Sequence, residues 1–96
     1  MDDRRYGHRV PRLDPVDLVW RDQAGESRQG ASILADISVS GAAVRTPSPV
    51  HVGTEVSFDY GNQTLIGIVK HCARKGSAFV LGIEFIADCH WSQNQS

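Results

Sequence analysis

The stretch that decides the fold is residues 54–86, TEVSFDYGNQTLIGIVKHCARKGSAFVLGIEFI. Apolar and polar residues alternate through much of it, which is the period of two that a half-buried β-strand requires. Two short polar breaks, Gly61-Asn62 and Arg74-Lys75-Gly76, are typical of the tight turns of β-hairpins. The stretch therefore predicts three consecutive antiparallel strands, at residues 54–60, 63–73 and 77–86.

The N-terminal half predicts three further strands, at residues 16–20, 31–38 and 42–46, the last two separated by Ser40-Gly41. The polar residues 22–30 indicate a hairpin or loop, and Trp20 is expected in the core. Pro47 and Pro49 indicate a loop, because proline donates no hydrogen bond to a central strand. Six short strands at this spacing predict an all-β protein. We expect a small six-stranded antiparallel β-barrel, because closing the sheet removes its exposed edges.

Size and composition limit the classes of function. The 96 residues make one domain, and 41% hydrophobic with 22% charged residues is typical of a soluble globular protein. The sequence lacks the run of about 18–20 apolar residues that a membrane helix needs, and its start, MDDRR, lacks an apolar signal core. We therefore expect a cytoplasmic protein with no membrane insertion. Cys72 and Cys89 form no CxxC motif, so no disulfide scaffold is expected.

The charge is balanced overall but concentrated at the N-terminus. Ten basic and eleven acidic residues give a net charge of −1, and only 7% of residues are aromatic. Both values argue against a partner that is a nucleic-acid polymer, since such surfaces need a basic groove and aromatic platforms. Residues 4–12 nevertheless contain four arginines and no acid, namely Arg4, Arg5, Arg9 and Arg12.

The first candidate cluster is Arg5-Tyr6-Gly7-His8-Arg9, an RxxxR spacing. Residues i and i+4 share a side in a strand and in a helix, so both guanidinium groups can converge on one ligand. Such a pair suits phosphate oxygens or the O6/N7 edge of guanine. The alternative is a solvated charged tail, in which Tyr6 and His8 are exposed spacers.

The second candidate cluster is Asp36-Ile37-Ser38-Val39-Ser40-Gly41, a DxSxxG spacing at a predicted strand end. Asp36 and Ser38 are two residues apart and are expected to share a face. A carboxylate accepts hydrogen bonds from the N1–H and N2–H₂ groups of guanine, and a serine hydroxyl both donates and accepts. Gly41 would permit a positive φ or a close backbone approach. The alternative is a turn in which Asp36 and Ser38 bond their own backbone.

The two clusters in this order, with Asp36 27 residues after Arg9, resemble the PilZ domain, the bacterial receptor for cyclic di-GMP. Gly53, Gly67-Ile68-Val69 and Gly82-Ile83-Glu84-Phe85 look like later strands of that family. The resemblance implies a six-stranded barrel with the RxxxR segment as a flexible loop before the first strand. It also implies the ligand-binding set, which is Arg4, Arg5, Arg9, Asp36, Ser38 and Gly41. An arginine at position 4 is compatible with an intercalated ligand pair.

The resemblance divides the chain into a flexible arm (residues 1–13), a barrel (14–88) and a tail (89–96). Many family members carry a C-terminal helix, whereas only ten residues follow the last predicted strand here. We expect Trp91 either to dock on the barrel or to begin a short helix. Met1 lies only three residues before Arg4, so we expect no preceding output domain and a protein effector that is bound in trans. The alternative function is a PilZ-like adaptor that binds a protein without nucleotide.

Other reactive side chains suggest neither an enzyme nor a metalloprotein. His71-Cys72 and Cys89-His90 contain metal-ligand types, but adjacent strand residues face opposite sides and the usual ligand spacings are absent. We expect no metal and no cofactor, and Cys72 as a small buried hydrophobe. The sequence contains no acid–base pair or nucleophile motif that would indicate catalysis. A second basic patch, Lys70, Arg74 and Lys75, is expected at a solvated turn, with contact to a ligand phosphate as the alternative.

Overall fold

The computed structural model describes residues 9–92 as a closed, all-β barrel. The barrel order is β1-β2-β3-β6-β5-β4, and all neighbouring strands are antiparallel. The strands are β1 (Val10–Arg21), β2 (Ser27–Ile37), β3 (Gly41–Thr46), β4 (Glu55–Tyr60), β5 (Gln63–Lys75) and β6 (Ala78–Phe85). The predicted six-stranded antiparallel barrel is confirmed.

Several strand ends differ from the sequence prediction. β1 begins at Val10 rather than at residue 16, and β2 begins at Ser27 rather than at residue 31. The two strands pair down to Arg21↔Ser27, because backbone hydrogen bonds extend a hairpin through residues without apolar periodicity. Residues 10–13, which the prediction placed in the arm, thus belong to a barrel strand. The division into arm, barrel and tail otherwise stays a prediction.

The hairpin between β5 and β6 is tighter than predicted. β5 continues to Lys75, through two residues that were expected in the turn, and β6 begins at Ala78. Gly76 takes a φ of 63°, which is in the left-handed region that a side chain disfavours. The glycine therefore makes a short turn possible, and the basic residues before it lie on a paired strand.

The core fills the inside of the barrel and receives side chains from all six strands. The largest fully buried side chains are Leu18, Leu34, Ile37, Val44, Val56, Leu65, Val69 and Leu81. The predicted alternation in β4 is confirmed, since Val56 and Phe58 are buried while Asp59 is exposed. Trp20 is partly buried and packs against the core, as expected. Cys72, which was expected to be a small buried hydrophobe, is partly buried and packs against the core.

The seam that closes the barrel, between β1 and β4, is short. The two strands pair only at Val19↔Ser57 and Trp20↔Val56. Beyond these pairs the Tyr60 hydroxyl donates a hydrogen bond to Asp14 Oδ2 at 2.5 Å, from β4 to β1. Burial raises the pKa of Tyr60, the hydrogen bond to Asp14 adds to this effect, and the charge of Arg12 opposes it. A side-chain contact thus continues the closure where the backbone ladder ends.

The C-terminal tail docks on the barrel. Trp91 is only 8% exposed and joins the core, and residues 87–92 contain no helix. The backbone N–H of Trp91 donates to the Val39 carbonyl at 3.3 Å. The Arg12 guanidinium lies 5.7 Å from the centroid of the Trp91 ring. This distance is within the range of a cation–π interaction. Of the two expectations for Trp91, docking is therefore the one observed.

We predict that Tyr60→Phe reduces the loss of stability at alkaline pH. The raised pKa of Tyr60 means that folding disfavours its ionised form, so this stabilisation is complete below the usual pKa of 10.0 and is lost as the pH rises above it. The variant should lose about 0.5–1.5 kcal/mol at neutral pH, the usual value of one hydrogen bond. Urea unfolding of the wild type and the variant, from neutral pH to above pH 10.0, tests this. Parallel stability curves above pH 10.0 would contradict it.

Candidate functional site

The last residue of the first cluster and the first residue of the second meet at one exposed point. Arg9, the residue before β1, donates from Nη1 to Asp36 Oδ1 at 2.5 Å. Asp36 lies on β2, where it pairs with Pro11 of β1. The side chains are 56% and 32% exposed, respectively. The guanidinium that ends the RxxxR motif and the carboxylate that begins the DxSxxG motif are therefore neighbours and open to solvent.

A register shift in β2 directs the Asp36 side chain outward. Leu34 and Ile37 are both fully buried although they are three residues apart, which strict alternation along a strand would not allow. The pairing of β2 with β3 shifts between Leu34 and Asp36, so one extra residue is absorbed there. The shift lets two apolar side chains enter the core and leaves the carboxylate on the outer surface.

Ser38 is part of the turn between β2 and β3 and is only 3% exposed. Its Oγ donates to the Gly41 carbonyl at 3.3 Å and accepts the Ser40 N–H at 3.3 Å. Asp36 and Ser38 therefore do not share a face as expected, because β2 ends at Ile37 and the turn reorients the residue that follows. The turn alternative describes Ser38 correctly, whereas Asp36 bonds to Arg9 and not to its own backbone.

The backbone passes so close to β6 at position 41 that only glycine fits there. A Cβ atom at this position would lie 2.4 Å from the Ile83 carbonyl oxygen of β6, and the φ of Gly41 is not positive. The neighbouring Ser40 carbonyl accepts the Phe85 N–H at 2.8 Å. Of the two reasons that the sequence allowed for this glycine, close approach is the one found. Because glycine has no side chain, the turn can lie directly against β6.

The remaining sequence candidates have different surroundings. Arg4 and Arg5, with Tyr6 and His8, lie outside the described residues. In the second basic patch, Lys70 Nζ is 3.5 Å from Glu84 Oε1, and Arg74 Nε donates to the Gly76 carbonyl at 3.3 Å. Both contacts are at exposed positions, as expected, but the residues of this patch lie on β5 and not in the turn.

Sequence reasoning missed the link between the tail and the DxSxxG turn. The hydrogen bond from Trp91 N–H to the Val39 carbonyl ends inside that turn. Gln63 fixes the tail further, because its Nε2 donates to the His90 carbonyl at 2.7 Å and its Oε1 accepts the Ser92 N–H at 3.2 Å. The available signal was Trp91 itself, the one large apolar side chain of the polar segment 87–96.

Within residues 9–92, no group of three or more His, Cys, Asp or Glu side chains is placed to hold a metal ion. The same range contains no helix with the length and apolar character that crossing a membrane demands.

Comparison with known families identifies the family of the chain. The family model described as the PilZ domain matches residues 3–89, which include both motifs and all six strands. The chain belongs to the PilZ domain family. PilZ domains bind cyclic di-GMP and act as receptors rather than as enzymes. A search of curated proteins finds no match to the chain.

We predict that Gly41→Ala destabilises this PilZ domain. The added methyl group would meet a backbone oxygen, which cannot rotate away, so a loss of about 1–3 kcal/mol is expected, as for overpacked cores. Gly30→Ala is the matched control, because its Cβ would be 3.5 Å from the Trp20 ring, an ordinary contact. Thermal and urea unfolding of both variants measure the difference. Equal stabilities would show that β3 can move away from β6 without cost.

Proposed function

We propose that this PilZ domain is a non-enzymatic receptor for cyclic di-GMP. The observation that supports it most directly is the contact of Arg9 with Asp36, which joins the RxxxR and DxSxxG motifs at one exposed place. An arginine fork donates two parallel hydrogen bonds to phosphate oxygens or to guanine O6 and N7. A carboxylate accepts from the N1–H and N2–H₂ groups on the other edge of the base. The two side chains therefore have complementary capacities for one guanine nucleotide.

The ion pair can be exchanged for a ligand at small cost. Exposed salt bridges contribute about 0–1 kcal/mol to stability, because water competes for both charges. In our proposal the ligand takes over the hydrogen bonds that Arg9 and Asp36 give each other. The proposed binding set is Arg4, Arg5, Arg9, Asp36, Ser38 and Gly41. Within this set Ser38 and Gly41 support the ligand by fixing the turn, since Ser38 is buried and Gly41 has no side chain.

The proposed receptor signals through the chain segment before β1. Residues ahead of Val10 form the ligand-binding arm in this proposal, and their arrangement changes when the arginines engage the nucleotide. Such a change shifts the protein between states, because the ligand contacts only one of them fully. A protein effector in the bacterial cytoplasm would recognise the bound state. No cofactor takes part in this proposal.

We predict that Arg9→Ala weakens the binding of cyclic di-GMP about tenfold to hundredfold, as expected for a hydrogen bond to a charged group. Isothermal titration calorimetry measures this, and the same titration gives the number of ligands per chain. Arg28→Ala is the matched control, because Arg28 forms a similar exposed pair with Asp22 at 2.8 Å. The pKa of Asp22 is held below its usual value by a hydrogen bond from the Glu26 N–H and, to a smaller extent, by one from Arg28. We expect the control to bind like the wild type.

The titration separates the candidate functions. Binding by the wild type, weakened in Arg9→Ala but not in Arg28→Ala, supports the receptor. Absence of heat with the folded wild-type protein at high micromolar ligand would favour the adaptor that binds a protein without nucleotide. Unchanged affinity in Arg9→Ala would remove Arg9 from the site, and unchanged affinity in Arg5→Ala as well would remove the RxxxR motif.

A further inference from the structure

A row of four paired residues crosses the outer face of the barrel from the candidate site. The cross-strand register aligns Asp36 with Ala43, Ala43 with Gly82, and Gly82 with His71. Directly paired residues of neighbouring strands point to the same side of a sheet. The residues next along the strands, Ile37, Ala42 and Ile83, are buried, so the row faces outward. The row runs from β2 through β3 and β6 to β5.

A register shift lies at each end of this row. At β2 the shift between Leu34 and Asp36 turns the carboxylate outward, as described above. At β5 the pairing with β6 shifts between Val69 and His71. Val69 is fully buried and Cys72 packs against the core, so Lys70 and His71 both lie between two inward positions. Bulges re-aim side chains and are over-represented next to functional sites.

The middle of the row is a shallow floor of small residues. Ala43 projects only a methyl group and Gly82 has no side chain, so the sheet surface is low between Asp36 and His71. A Cβ atom on Gly82 would lie 2.9 Å from His71 Cδ2 and 3.5 Å from His71 Cγ. The imidazole therefore covers Gly82, and Ala43 is the low position that remains between the imidazole and Asp36.

His71 has no other use within the described part of the chain. Its side chain is exposed, and among residues 9–92 its ring takes part in no hydrogen bond or ion pair. Strands lie about 4.8 Å apart, so three strand steps separate Asp36 from His71 by about 14 Å. Cyclic di-GMP carries two guanines on either side of a ring with two phosphates, and thus presents aromatic surfaces at both of its ends.

We propose that His71 is a further ligand-contact residue, and that a base of cyclic di-GMP lies over Ala43 and against the imidazole that covers Gly82. This inference rests on the proposed function and names where the ligand extends beyond the two motifs. The contact is aromatic stacking, which tolerates any aromatic side chain at position 71. The same contact explains why the residue paired with His71 is a glycine, since a side chain there would push the ring away.

The test is calorimetric titration of cyclic di-GMP into His71→Ala, His71→Phe and His51→Ala. Loss of a base–aromatic stack is expected to weaken binding about five- to hundredfold in His71→Ala. His71→Phe retains stacking and should bind within a few-fold of the wild type. His51→Ala is the matched control, because His51 is also exposed but lies in the loop between β3 and β4. Thermal unfolding of each variant checks that the barrel is intact.

The outcomes distinguish this inference from the function on which it rests. Absence of binding by the folded wild type overturns both. Normal binding by His71→Ala, with weakened binding by Arg9→Ala, overturns the role of His71 alone. Equal weakening in His71→Ala and His51→Ala overturns it as well. If His71→Ala fails to fold, His71→Phe decides: wild-type affinity supports stacking, and a large loss contradicts it. Gly82→Ala, which displaces the ring, should also weaken binding.

Discussion

The approach of β3 to β6 at Gly41 is the constraint on which the candidate site depends. With no Cβ at Gly41, the chain passes directly over the Ile83 carbonyl, and the Ser40 carbonyl accepts the Phe85 N–H. This contact anchors the turn that follows β2, and so holds the end of the strand that carries Asp36. The tail adds to the same anchor, because the Trp91 N–H reaches the Val39 carbonyl. A backbone contact in the barrel thereby positions an exposed carboxylate.

The local charges carry more information than the net charge of −1. Arg9 and Asp36 cancel in the total, yet they form a neighbouring donor and acceptor at one surface point. Arg12, from the same basic run, lies instead over the Trp91 ring and near the seam between β1 and β4. Two arginines of one basic run thus serve different places, Arg9 at the candidate ligand site and Arg12 at the docked tail.

Alternation and turn residues were enough to predict six strands, because burial of one sheet face imposes a period of two. The alternation they indicated is seen in β4, where Val56 and Phe58 are buried. They failed at the ends of β1 and β2, where backbone pairing continues through residues without periodicity. They also failed at Ser38, since the turn reorients the residue after Ile37. The neighbours of His71 were beyond sequence reasoning, because pairing register across β5 and β6 is a long-range property.

Because of the two register shifts, the outer row depends on one extra residue in β2 and one in β5. Leu34 and Ile37 enclose two outward residues in β2, and Val69 and Cys72 enclose two in β5. Removal of one residue from either pair would restore simple alternation without changing the core. It would also shorten the segment that carries Asp36 or His71 to the surface. The barrel could thus persist through such a deletion while the row across its face is lost, so fold and surface chemistry are separable in this chain.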